Sequence, residues 1–163
     1  MRAERSPWGL AMVGTLAVVG VVAVGALACG GPRHEMDAPA GFVRYADKAG
    51  VALITADGIR LRSREARNYP VADLAFWKDA LSRHLVARGY APKADRCFKT
   101  RAGLDGCTAE FVVPHGAEDW VLAVTLFVVG ERVVIVEAAG PFERWAKVEA
   151  GVAQSLQGFV PAP

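Results

Sequence analysis

The stretch WVLAVTLFVV at residues 120–129 decides the fold. Every residue in it except Thr125 is apolar. A strand with one face in water alternates polar and apolar residues; this one does not, so it needs cover on both faces. Gly130, Glu131 and Arg132 then turn the chain, and VVIVEA at 133–138 returns beside it. So short a turn joins antiparallel neighbours only.

The same reading extends upstream. CTAEFVV at 107–113 is a strand, separated from the central one by a loop, HGAED at 115–119. Residues 97–101 form a strand before it, reached through a turn over 103–106 whose Gly, Asp and Gly favour tight backbone. Farther back, VALIT at 51–55 meets Asp57-Gly58, a strong hairpin signal. IRLRSRE at 59–65 then alternates, with Ile59, Leu61 and Ser63 inward and Arg60, Arg62 and Arg64 outward.

Two helices complete the pattern. Asp73 is suited to N-capping, and Leu74, Trp77, Leu81 and Leu85 recur at helical spacing up to Gly89, which suits the C-terminal end. Pro141 suits the first turn of a second helix, along which Trp145, Val148, Val152, Leu156 and Phe159 keep one face. The order is β-β-α-β-β-β-β-α. The expected class is α+β: a single antiparallel sheet of about six strands with helices on both faces, an α/β/α sandwich.

The N-terminus is of another kind. Arg2 and Arg5 precede a run without charge, LAMVGTLAVVGVVAVGALA at 10–28. Residues 1–28 therefore read as a signal peptide or membrane anchor. Ala26, Leu27, Ala28, Cys29 and Gly30 resemble a lipobox, with Leu one place from its usual position, which implies a lipid such as palmitate on Cys29. The same Ala-Leu-Ala is an ordinary signal-peptidase site, and the run is also about long enough to stay as an uncleaved anchor. All three readings put the domain on the far side of a membrane, in the cell envelope of a bacterium if the lipobox is used. Residues 29–40 read as a tether rich in Gly and Pro, and 41–160 as the domain.

Composition narrows the function classes. The 163 residues suffice for one domain. Setting aside Arg2, Arg5 and Glu4 leaves 17 of the 19 basic and 16 of the 17 acidic residues, a net charge of +1. Nothing in that balance favours nucleic acid. With Cys29 assigned to the anchor, Cys97 and Cys107 remain; in an oxidising compartment they can close a disulfide across one hairpin, and two buried free thiols are the alternative.

Three stretches carry a family resemblance: Ala38, Pro39, Ala40, Gly41 and Phe42 before the first hairpin; the Trp-led strand at 120–129 with its Gly-Glu-Arg turn; and Ala139, Gly140, Pro141 and Phe142 leading into the last helix. Together they resemble the PsbP-like domain, the sandwich shared by a lumenal photosystem subunit and a Ran-binding Mog-type protein. The resemblance spans roughly residues 38–160. It implies an α/β/α fold and a binding or assembly role, and it carries no catalytic residues over.

Chemistry-bearing residues are scattered. His34, His84 and His115 lack partners at metal-ligand spacing, no serine stands in a nucleophile elbow, and no phosphate-binding glycine loop occurs. No metal, cofactor or catalytic residue is expected. The feature with most promise is the stripe of Arg60, Arg62 and Arg64, with Arg67 just beyond, able to grip an anion; outward charges on a strand also simply keep it from pairing. The expected function is a membrane-tethered, non-enzymatic binding or assembly module, whose partners are the membrane through its anchor and an envelope protein or anionic ligand. The alternatives are an enzyme with a loop site around His115, Glu118 and Asp119, or a purely structural lipoprotein.

Overall fold

The computed structural model describes residues 34–45 and 50–163. Residues 1–28, read as signal peptide or membrane anchor, and Cys29, read as the lipid attachment site, lie outside the described residues.

The central strand is where the pattern places it, as β6 (Glu118–Val129). It lies within a single sheet with β1 (Phe42–Arg44), β2 (Ala52–Thr55), β3 (Arg60–Arg67), β4 (Ala91–Lys99), β5 (Asp105–His115) and β7 (Arg132–Pro141). The strand order is β1-β2-β3-β7-β6-β5-β4, and every pairing is antiparallel. Two meanders, β1–β3 and β4–β7, thus meet along the β3–β7 seam. Helix α1 (Leu74–Ala87) carries the chain from one meander to the far edge of the other.

Helices lie on both faces, as expected. Leu85 of α1, with Leu74, Trp77 and Leu81, packs on Ala109, Phe111, Val124, Leu126, Val133 and Ile135. On the opposite face Trp145 of α2 (Phe142–Trp145) and Val152 and Leu156 of α3 (Glu149–Gln157), with Phe159, cover Leu61, Val121, Ala123, Phe127, Val134 and Val136. Successive β6 residues alternate between these two cores, which explains the unbroken apolar run. Gly106 makes room for this packing: a Cβ there would lie 2.5 Å from the Phe127 ring, which stacks on Phe159 at 4.8 Å.

The structure also revises the sequence reading. Against an expectation of about six strands, the sheet has seven. The additional strand, β1, is three residues long and buries only Phe42, too little for a pattern to register. The expected loop at 115–119 is a tight hairpin in which His115 pairs with Glu118 across Gly116 (φ +66). The second helix is two, α2 and α3, which share one buried face.

Residues 34–40 do not hang free as a tether. His34 and Met36 are buried, and Glu35 exchanges two 2.9 Å backbone hydrogen bonds with Val160. Their anchoring partners come from the far end of the chain, which local sequence cannot reveal.

Candidate functional site

Helix α1 covers only part of its face of the sheet. Its buried partners lie on β5, β6 and β7, while the β3 side of that face is open. There the outward residues of β3 stand beside those of β7: Arg60 opposite Ala139, Arg62 opposite Glu137, Arg64 opposite Ile135, Ala66 opposite Val133. The arginine stripe is therefore a surface beside α1, and all three side chains are exposed.

Glu137 organises it. Arg62 Nε donates to Glu137 Oε2 at 2.9 Å; Arg64 Nε and Nη2 donate to Oε1 at 3.1 and 3.0 Å. Two guanidiniums thus share one carboxylate, and the stripe keeps a net positive charge. Arg60 makes no ion pair among the described residues. Arg67 sits at the end of the strand with its guanidinium 5.6 Å from the centre of the Tyr69 ring. Sequence alone gives Glu137 no role: it is one residue of a returning strand, and its register against β3 is a tertiary fact.

A groove of about 340 Å³ adjoins the stripe. Leu126, Val133 and Ile135 form its floor, Trp77, Ala80 and Leu81 its wall, and Arg67 and His84 also line it. Trp77 is held by its indole N–H, which donates to Asn68 Oδ1 at 2.7 Å. Apolar surface beside unspent positive charge suits a ligand with an anionic end and an apolar body.

The other sequence candidates do not join this site. Cys97 and Cys107 face each other directly across β4 and β5 and form a disulfide, with Cα atoms 4.0 Å apart. His115 lies at the opposite end of the strands from Asn68, its ring 4.6 Å from that of Trp120; Glu118 and Asp119 are exposed beside it. Trp145 is a core residue and Trp120 is half-buried away from the groove, while Trp77 belongs to the groove itself. Ser63 is buried and accepts the Val51 N–H at 2.8 Å, a packing role.

Two buried polar centres escaped the sequence reading. Glu110 is fully buried, with Lys93 Nζ at 2.6 Å and Arg96 Nη2 at 2.9 Å, and Glu149 of α3 approaches both cations. Burial works against the Lys93 charge, but the hydrogen bonds and charges of Glu110 and Glu149 outweigh it and raise the lysine pKa. This cluster ties the edge strand β4 to α3.

The second centre is His34. Its Nδ1 accepts the Ala162 N–H at 2.9 Å and its Nε2 lies 3.3 Å from Glu65. Arg132 bonds both Glu65 (2.8 Å) and the Ala162 carbonyl (2.9 Å). Burial lowers the His34 pKa; Glu65 opposes this and Arg132 adds to it.

The architecture is that of a PsbP-like α/β/α sandwich. Among solved structures it is similar to the cyanobacterial PsbP of Synechocystis sp. PCC 6803, with 11% identity over 86% of this chain and 98% of that one and a TM-score of 0.54. It is also similar to LpqN of Mycobacterium tuberculosis, described as involved in cell envelope biogenesis: 10% identity, 83% and 86% coverage, TM-score 0.61. A third is PA94 of Pseudomonas aeruginosa, a protein of unknown function described as a putative regulator, at 12% identity, 81% and 85% coverage and TM-score 0.51. At these identities the likeness is one of fold. No family model and no curated protein matches the sequence. No helix among the described residues is long and apolar enough to cross a membrane.

Proposed function

We propose that this chain is a membrane-anchored, extracytoplasmic binding module without enzymatic activity, and that its ligand-facing surface is the open part of the α1 face. One observation carries the reading: an arginine stripe only partly neutralised by Glu137, lying next to an apolar groove walled by Trp77. The ligand class that fits is an anion with an apolar portion.

Other features support the setting. A disulfide suits an oxidising compartment. The N-terminal run at 10–28 supplies the means of export, and lipid on Cys29 the means of attachment. LpqN, described as acting in envelope biogenesis, shares the architecture. The packing of His115 on Trp120 and the exposure of Glu118 and Asp119 favour a hairpin tip over a catalytic centre.

Dodecyl phosphate below its micellar concentration, with dodecyl maltoside as the uncharged control, tests the site by tryptophan fluorescence. Binding of the phosphate that weakens by about a hundredfold in the triple variant R60Q/R62Q/R64Q is expected, on the scale of ~1.5–3 kcal/mol for one lost charged hydrogen bond. Equal binding of the two amphiphiles, or no change in the triple variant, ends the proposal.

A further inference from the structure

The domain has two ends along its strands, and they differ. At one end lie the 115–118 hairpin and the Asp57-Gly58 turn; at the other, the 68–73 connection, the β6–β7 turn and the entry of the chain at His34. His34 is fixed at that second end by Ala162, Glu65 and the Arg132 bridge. Cys29 precedes it by five residues. Five extended residues span at most about 18 Å. Whether the chain is held by lipid on Cys29 or by the apolar run before it, the membrane surface then lies within that distance of His34. That short reach keeps the second end nearer the bilayer than the first.

That end carries exposed apolar side chains on a firmly held loop. Tyr69 is 74% exposed and Val71 81%, and Phe76 follows in the first turn of α1 at 48%. The loop is tied down by hydrogen bonds. Asn68 N–H donates to Glu131 O at 2.7 Å, and its Nδ2 reaches Gly130 O (3.2 Å) and Ala72 O (3.1 Å). Its Oδ1 accepts from Ala72 N–H (3.1 Å) and from the Trp77 indole. Asp73 caps α1 by accepting the Phe76 N–H at 2.8 Å. Tyr69 and Val71, two residues apart on one held loop, form a small apolar patch of the kind that marks a contact surface. A tyrosine with a polar tip, an arginine over its ring and a neighbouring valine match the chemistry of the lipid headgroup region.

We propose that the 69–76 tip docks on the bilayer that anchors the chain, with Tyr69 and Val71 among the headgroups and Arg67 toward lipid phosphate. The domain then stands in one orientation, its strands directed away from the membrane and the arginine stripe on its flank. The proposal rests on the anchored reading above.

Full-length chain in vesicles of phosphatidylethanolamine and phosphatidylglycerol, doped with a lipid carrying a photoactivatable headgroup, tests it by mapping cross-links with mass spectrometry. Cross-links should concentrate in 68–76 over 114–119. In Y69S/V71S, whose fold is checked by circular dichroism, they should fall about tenfold at 68–76, the scale of losing roughly one buried apolar side chain. The variant should remain on the vesicles. Cross-links spread over both ends, or unchanged at 68–76 in the variant, overturn the docking while leaving the anchor intact. A wild-type chain recovered free of vesicles overturns the anchored reading and this one with it. Cross-links at 68–76 to a co-purified protein in native membranes, with none to lipid, identify the tip as a protein interface and likewise overturn the proposal.

Discussion

The two faces of the sheet are built to different specifications. The α2–α3 face is closed: Trp145, Phe127, Phe159, Leu53 and Leu61 are all fully buried, and the chain's N-terminal segment adds Met36 to the same core. The α1 face is half closed. Its helix buries Leu85 outright, but Trp77 and Leu81 remain partly open, and beyond them the sheet carries charge instead of apolar cover. A small domain needs at least one well-filled core, and here one face supplies it. The other face is left free to present a groove and a set of guanidiniums. The sheet itself thus separates the filled core from the surface proposed for recognition.

Truncation on each face gives the sharpest contrast. Trp145→Ala should cost ~3–5 kcal/mol, the usual range for emptying a large aromatic from a tight core. Trp77→Ala should cost distinctly less, because its site already opens to solvent, and should weaken amphiphile binding instead. Urea denaturation of both variants measures the difference. Equal losses would break the contrast between the faces.

Acid should act on the closed face first. His34 has a lowered pKa in the folded state, so the unfolded chain takes up its proton more readily. The stability His34 contributes is complete above the ordinary histidine value of 6.5 and is lost as pH falls from there through the folded-state pKa. Protonating Nδ1 also removes the acceptor for the Ala162 N–H. Protection of the Glu35 and Val160 amides against hydrogen exchange, corrected for the intrinsic rate, should therefore fall between neutral pH and pH 5, and His34→Asn, which keeps an acceptor without the titration, should flatten the response. An equal response in that variant would assign the acid sensitivity elsewhere.

The smallest effect on stability should come from Glu137→Gln. Arg62 and Arg64 are 63% and 51% exposed, so loss of their shared carboxylate should change stability by less than ~1 kcal/mol. Binding should respond more. Removing the competing carboxylate should raise affinity for dodecyl phosphate and steepen its salt dependence. A fall in affinity would mean that Glu137 positions the arginines rather than competes for them.

Much of this architecture is local in origin and can be read from residues alone. The doubly apolar 120–129 run requires a covered central strand. The Asp57-Gly58 turn and the alternation after it define a hairpin, and the spacing from Leu74 to Leu85 defines α1 together with its Asp73 cap. The disulfide follows from two cysteines set across one hairpin, although only the register, Cys97 opposite Cys107, distinguishes a bridge from a pair of free thiols. The arginine stripe is legible too, because strand alternation is a property of the backbone.

What tertiary structure decided is which residues meet across long separations. Glu137 stands 73 residues from Arg64, Ala162 stands 128 from His34, and Glu149 reaches back 56 to Lys93. No periodicity encodes such contacts, since they depend on strand order and on which helix covers which face. The segment at 34–36 is polar enough to read as tether, and it packs because the C-terminal residues offer it a bridge partner in Val160 and a buried donor, the Ala162 N–H, for His34. Sequence pattern determined the elements and their buried faces. The seam between the two meanders, which places β3 against β7, decided that the arginines lie beside a groove.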